Sequence, residues 1–170
     1  MTLAERQRRL AALLAGEADA AGEDAHLRAL AGSEELAVLR WSVTSWRVLN
    51  VERRCPLIAA LLRLEGRLEP AVERFAADQE ASAFRDELGP AFLRFVAVAD
   101  PDPLARALAA LEAALIRRLA GTDGEDVEIP WPQDPRPVLA ALVAGRRPAR
   151  GGGPCTAIVD GAPPSGFRVS

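Results

Sequence analysis

The chain alternates long stretches with apolar residues at three- and four-residue steps and short stretches rich in glycine or proline. This spacing places apolar side chains on one side of an α-helix, and glycine and proline mark helix ends. The pattern predicts helices over most of residues 3–121. Because each helix carries an apolar face, we expect the helices to pack together as a bundle.

Capping residues set the limits of the predicted helices. Thr2 with Glu5 is typical of a capping box, and Gly16 ends the helix that follows. Ser33 begins the longest helix, and Pro56 ends it because proline lacks the backbone donor and clashes with the preceding turn. The other helices are predicted over 24–30, Pro56–Glu65, from Pro70, Ser82–Leu88, from Pro90, Pro103–Gly121 and Val138–Ala144.

Two predicted helices have long apolar stripes. The stripe after Ser33 runs at three- and four-residue steps through Leu36, Leu39, Val43 and Trp46 to the polar Asn50, and the stripe after Pro103 consists of Leu104, Leu108, Leu111, Leu115 and Leu119. The helix after Ser33 has further apolar residues on neighbouring faces. A helix that is apolar over so much of its circumference is expected at the centre of a bundle.

The pattern changes after residue 121. Short strands are predicted at 127–129, 156–159 and 167–169, with turns at 122–124 and 160–166 and a mobile loop at 146–154. Four prolines between residues 130 and 137 argue against a central strand there. The predicted fold is mainly α, with an N-terminal helical bundle (1–99) and a smaller α+β domain (100–170) that contains a helix and a short antiparallel sheet. The stiff Asp100-Pro101-Asp102-Pro103 sequence marks the predicted boundary.

The composition limits the chemistry that this chain can carry alone. It has one histidine (His26), two cysteines (Cys55 and Cys155) and no tyrosine. Structural zinc sites and histidine-based triads need several convergent groups of these types. The carboxylates are dispersed, and Asp123, Glu125 and Asp126 lack the spacing of a calcium loop. We therefore assign no catalytic residue and no metal ligand.

Charge and hydropathy indicate the expected surroundings of the protein. The net charge is −3, and all 21 basic residues are arginine. Because nucleic-acid binding needs an excess of positive charge on one face, this overall charge does not favour a nucleic-acid partner. No signal peptide and no apolar run of about 18 residues is visible in the sequence, which predicts a cytoplasmic protein without a membrane span. Both cysteines are expected to be reduced.

Two groups of residues are candidates for binding surfaces. Trp41 and Trp46 are five residues apart on the longest helix, and each is either a core residue or an interface anchor. Together with Arg47 and Arg54 they form the predicted partner interface. The second candidate is a peptide-binding strand edge formed by Thr156, Ala157, Ile158 and Val159. The alternative is an edge blunted by the neighbouring prolines and glycines.

Two other features each have two interpretations. Cys55 precedes a proline and follows Arg53 and Arg54, so it is either an activated thiol or a buried, inert one. The loop 146–153 contains Arg-Gly-Gly, which occurs in binders of single-stranded RNA, but one copy without aromatic neighbours is also typical of a solvated linker.

The helical half resembles a known family in the order and spacing of five segments. These segments are 3–14, 47–62, 68–75, 88–95 and 104–115, and they include Cys-Pro-Leu at 55–57 and Gly-x-x-Phe-x-x-Phe at 89–95. The family was formerly labelled putative DNA-binding domain. It includes the partner subunits of multinuclear non-haem iron oxygenases in methanobactin-type peptide maturation.

The resemblance implies a non-catalytic subunit that binds a TIM-barrel oxygenase and recruits the leader of a ribosomally synthesised precursor peptide. The iron is then expected in the oxygenase, with no cofactor in this chain. A DNA-binding transcriptional regulator is the alternative, and a thiol-transfer enzyme that uses Cys55 is a third hypothesis.

Overall fold

The computed structural model describes residues 2–16, 22, 24–78, 88–122, 126–160 and 166–170. The helices are α1 (Leu3–Ala15), α2 (Ala25–Ala31), α3 (Glu34–Arg54), α4 (Pro56–Leu64), α5 (Leu68–Asp78), α6 (Leu88–Ala99), α7 (Pro103–Leu119) and α8 (Pro135–Val143). The strands are β1 (Val127–Trp131), β2 (Cys155–Val159) and β3 (Phe167–Val169). The prediction of a mainly α fold with a short antiparallel sheet near the C-terminus is confirmed.

Several predicted features lie outside the described residues. They are the helix segment from Ser82, Asp123 and Glu125 of the rejected calcium loop, and most of the turns at 122–124 and 160–166.

The helix ends follow the capping residues closely. The side chains of Thr2, Ser33 and Asp102 accept hydrogen bonds from the backbone N–H groups of the first turns of α1, α3 and α7. α5, α6 and α8 begin two or three residues before the predicted starts. In α5 and α6 the proline is the third helical residue, and in α8 the first and third residues are prolines. Proline is tolerated there because backbone N–H groups of the first turn have no partner within the helix.

α1 and α2 form a small apolar cluster with the start of α3. Leu13, Leu27 and Leu36 are buried together, with Leu14, Leu30 and Ala31 packed around them. The Arg40 guanidinium donates from Nε (2.9 Å) and Nη2 (2.6 Å) to the Leu13 carbonyl. This side chain from α3 therefore caps the C-terminal end of α1.

Two residues of the α3 stripe lie at the surface. Leu39 is 49% exposed and Trp46 is 42% exposed, whereas Val48 and Val51 are buried. The reason is that α4, α5 and α6 pack along the line of Val48, Val51 and Cys55, on another side of the helix. The central position of α3 still follows from its contacts with α1, α2, α4, α5 and α6. Leu119 of the α7 stripe is also exposed.

α7 connects the helices to the sheet. It packs against α4 and α6 on one side and against β1 and β2 on another. The main apolar core runs without a break from Val48 to Phe167 among the described residues, and it includes Leu108 and Leu111 of α7. The division into 1–99 and 100–170 stays a prediction, but a continuous core crosses residue 100.

An ion-pair network lies at the predicted boundary. We call it the charge network, and its members are Glu65, Arg67, Asp100, Asp102 and Arg150. Arg67 contacts Glu65 at 2.8 Å and Asp100 at 2.5 Å, and Arg150 contacts Glu65 at 2.5 Å and Asp102 at 2.8 Å. The network therefore connects the α4–α5 turn, the α6–α7 turn and the loop before β2.

The sheet has the order β1-β2-β3, and both strand pairs are antiparallel. Thr156 and Ser170 exchange backbone hydrogen bonds of 3.0 and 2.9 Å. Because hydrogen-bonding direction alternates along a strand, the Pro130 position opposite Thr156 faces away from β2. Proline fits there since no ladder donor is needed, and β1 continues through it to Trp131.

Candidate functional site

Thr156, Ala157, Ile158 and Val159 do not form a free edge. β2 is the middle strand, with β1 paired on one side and β3 on the other. The register pairs Ile158 with both Glu128 and Arg168. The prediction of an edge at these four residues is wrong, because strands on both sides already satisfy their backbone donors and acceptors.

The outer edge of β3 is the better candidate for adding a strand. Since Ser170 bonds to Thr156, alternation directs the N–H and C=O groups of Val169 away from β2. No described strand pairs with that edge. The outer edge of β1 is less suitable, because Pro130 removes one of its outward donors.

Four apolar side chains form an exposed patch on α3, which we call the α3 surface. They are Val38 (55% exposed), Leu39 (49%), Trp41 (70%) and Trp46 (42%). At about 100° per residue these positions span an arc of roughly 160° on one side of the helix. The two tryptophans are thus surface residues rather than core residues. An exposed apolar patch with tryptophan is typical of an interaction surface.

The structure does not bring Arg47 and Arg54 to the α3 surface. Both lie on the opposite side of α3 by helical geometry. Arg47 is half-buried in a cleft of about 180 Å³ beside Arg40, Thr44 and Glu73, and burial lowers its pKa. Arg54 packs against the start of α6, where its Cβ would be 2.9 Å from a methyl group placed on Gly89.

Cys55 is fully buried between α3, α4 and α6. Its thiol donates to the Gly89 carbonyl at 3.4 Å, and burial raises its pKa to about 12. A thiol reacts as the thiolate, so this environment makes Cys55 inert at neutral pH. The Cys-Pro-Leu and Gly-x-x-Phe-x-x-Phe segments are therefore in contact through Cys55 and Gly89, and the contact is structural.

Glu112 of α7 also contacts the Cys-Pro-Leu segment. Its carboxylate, buried in the core, accepts hydrogen bonds from the backbone N–H of Leu57 (2.8 Å) and Ile58 (2.9 Å). A side chain more than fifty residues away thus caps α4, whose preceding residue, Cys55, provides no side-chain cap. Burial raises the pKa of Glu112 to about 7, although the two N–H donors act in the opposite direction.

The sequence did not predict a large cleft beside α8, which we call the α8 cleft. It has a volume of about 970 Å³ and lies between α8, the glycine-rich loop 151–153 and the end of β3. Its charged residues are Asp134, Arg136, Arg146 and Arg147. The arginines around the Arg-Gly-Gly sequence were the one feature of the sequence that pointed to this cleft. Val169 approaches them only in the tertiary fold, which the sequence pattern does not show.

Side chains hold the loop beside the α8 cleft in place. Gln133, which is 7% exposed, donates to the Ala149 carbonyl at 2.8 Å and accepts from the Gly151 N–H at 3.0 Å. Arg150 joins the charge network. The loop was predicted to be a mobile linker, and in the structure it is tied at several points. It therefore forms a defined wall of the cleft.

Chemistry-bearing residues are otherwise dispersed. His26 is exposed in the first turn of α2, and its backbone N–H donates to Asp24. Across the described ranges, no three His, Cys, Asp or Glu side chains converge in a way that could hold a metal ion. None of the helices in the described part combines the length and apolarity needed to cross a membrane.

The fold and its surfaces define a mainly helical protein with a small antiparallel sheet, an exposed tryptophan patch and an arginine-lined cleft. Comparison of the chain with protein-family models, with curated proteins and with solved structures gave no match.

Proposed function

We propose that this chain is a non-catalytic partner subunit of a multinuclear iron-dependent TIM-barrel oxygenase. In this role it binds the oxygenase and recruits the leader of a ribosomally synthesised precursor peptide for oxidative modification. The observation that carries the proposal is the exposure of Trp41 and Trp46 on the α3 surface. The family resemblance of the helical segments supplies the identity of the partner.

The α3 surface suits the contact with the oxygenase. Tryptophan and other large apolar side chains supply most of the binding energy at the centres of interfaces. A patch of this kind is costly to leave in water, so its burial against a partner is favourable. Arg47 and Arg54, the other two predicted interface residues, lie on the other side of α3 and outside the α3 surface.

The outer edge of β3 suits the contact with the leader peptide. An extended peptide gains main-chain hydrogen bonds from the edge, and neighbouring pockets select its side chains. Val169 directs its N–H and C=O groups away from β2, and it also lines the α8 cleft. This edge replaces Thr156–Val159 as the proposed peptide-binding strand.

Co-purification with the iron oxygenase from the same gene neighbourhood tests the first contact. We expect a stable complex at micromolar concentration, and Trp41→Ala should weaken it by about thirtyfold or more, as for an interface anchor. Leu119→Ala is the matched control, because Leu119 is 88% exposed on α7, away from the α3 surface. A chain that stays monomeric beside the oxygenase contradicts the proposal.

Titration with the leader of the neighbouring precursor peptide tests the second contact. Val169→Pro removes one outward donor of β3 and should weaken leader binding by about tenfold. Val169→Ala keeps the N–H and is the control for loss of the side chain. Leader affinity unchanged in Val169→Pro, with an intact circular dichroism spectrum, excludes this edge.

A further inference from the structure

The α8 cleft has an excess of positive charge. Arg136 is already engaged by Asp134, with contacts of 3.0 Å (Nε–Oδ1) and 2.6 Å (Nη2–Oδ2). Arg147 is exposed, and its contact with Glu65 is long at 3.9 Å. Arg146 is exposed and has no ion pair within the described residues. Arg146 and Arg147 are thus solvent-exposed residues of the cleft lining.

The end of α8 fixes the backbone position from which Arg146 and Arg147 follow. Gly145 has φ +64°, a left-handed conformation that favours glycine. Its N–H donates to Leu142 O at 2.9 Å, and the Arg146 N–H donates to Ala141 O at 2.9 Å. This is a Schellman motif, which terminates the helix with a defined chain direction. The backbone of Arg146 is therefore set before any ligand binds.

The walls of the cleft favour a peptide over a nucleic acid. Among the described residues no aromatic side chain lines the cleft, whereas bases of single strands stack on aromatic rings. Val169 and Ser170 bring the end of β3 into the wall, next to the edge that can add a strand. Because Val169 lines the same cleft as Arg146 and Arg147, a chain extended along β3 would lie beside that cleft.

We infer that the α8 cleft selects acidic side chains of an extended peptide, with Arg146 and Arg147 as the residues that bind them. Guanidinium groups bind carboxylates with charge-assisted, often bidentate hydrogen bonds. The inference rests on the proposed function only for the identity of that peptide as a precursor leader. It adds the chemical class of the segment that the leader presents.

Fluorescence anisotropy with two synthetic octapeptides tests this inference directly. One peptide alternates threonine with glutamate, and the other alternates threonine with glutamine. We expect the full chain to bind the glutamate peptide at least tenfold more tightly. Raising ionic strength from about 0.05 M to about 0.5 M should remove most of that preference, because salt screens exposed charges.

Three variants connect the preference to the cleft. Arg146→Gln and Arg147→Gln should each weaken binding of the glutamate peptide by about three- to tenfold and leave the glutamine peptide unaffected. Arg94→Gln is the matched control, because Arg94 is exposed on α6 and does not line the cleft. Equal binding of both peptides, or the same loss in Arg94→Gln, overturns the inference.

The result also separates this inference from the proposed function. If the chain binds the glutamate peptide selectively but does not bind the oxygenase, the assignment of the cleft to acidic peptides holds and the proposed partner is excluded. If the chain forms a complex with the oxygenase but binds both octapeptides equally, the proposed partner holds and the acidic-peptide assignment is overturned. Tighter binding of a thymidine oligonucleotide that depends on Arg146 overturns the peptide assignment and favours a nucleic-acid ligand.

Discussion

At the scale of single residues, Glu112 joins α7 to the start of α4. Its carboxylate bonds to two backbone N–H groups that otherwise have no partner at the start of α4. The same burial that makes these bonds strong also disfavours the charge. The ordinary pKa of 4.5 rises to about 7, so Glu112 titrates close to neutral pH.

Glu112 makes stability depend on pH. Below pH 4.5 the side chain is protonated in both the folded and unfolded states, and its contribution is fully present. As pH rises toward about 7, the unfolded state ionises more readily, so the free energy of unfolding falls by on the order of 1–3 kcal/mol. Urea denaturation of wild type and Glu112→Gln at a series of pH values measures this. The decrease should be absent in the variant, and an identical pH dependence in both proteins contradicts it.

The two cysteines should differ in reactivity. Cys55 is fully buried, whereas Cys155 is partly exposed at the start of β2, with a pKa that burial also raises. A thiol reagent at pH 8 should label Cys155 slowly in the folded protein and Cys55 only after denaturation. Cys155→Ser should therefore leave no thiol that reacts in the native state. Rapid labelling of Cys55 would restore the thiol-transfer hypothesis.

At the scale of secondary-structure elements, sequence patterns predicted where helices begin and end better than which of their faces are buried. Caps at Thr2, Ser33 and Asp102 are local, because each side chain bonds to N–H groups two or three residues away. The buried side of α3 is not local, since α4, α5 and α6 determine it. α3 has several apolar stripes, and periodicity alone could not show which of them is buried.

The contact of α6 with the end of α3 depends on Gly89. A methyl group placed there would be 2.9 Å from Arg54 Cβ and 3.3 Å from Cys55 Sγ. Gly89→Ala should lower the free energy of unfolding by about 1–3 kcal/mol, even though alanine favours a helix. Gly32→Ala is the matched control, because Gly32 has no atom within 4 Å of that position and needs no positive φ. Equal stability of the two variants in thermal denaturation would show that α6 can shift without cost.

At the scale of the whole molecule, the fold class was predictable and the surfaces were only partly so. Mainly helical segments followed by three short strands could be read from the chain. Which strand is in the middle could not, because antiparallel order depends on the long connection between β1 and β2 that contains α8. The predicted peptide-binding edge was therefore placed on Thr156–Val159, which belongs to the middle strand. The α8 cleft also forms only when residues 133–155 meet the end of β3.

The charge network should control the loop that walls the α8 cleft. Arg150 of that loop bonds both Glu65 and Asp102, whose side chains are mostly buried, while Arg147 of the same loop contacts Glu65 only at 3.9 Å. Removing one arginine leaves those carboxylates with fewer donors, so Arg150→Gln should lower the free energy of unfolding by about 1–2 kcal/mol and release the loop.

Limited trypsin digestion reports that release. Cleavage after Arg146 should become several-fold faster in Arg150→Gln, because a protease needs the chain to leave its anchored conformation. Arg168→Gln is the matched control, since Arg168 forms exposed ion pairs with Asp126 and Asp160 on the sheet. If added salt accelerates cleavage in wild type toward the rate of Arg150→Gln, ion pairing is the restraint. If cleavage after Arg146 is equally slow in all three proteins, Gln133 alone holds the loop and the charge network only joins the helices.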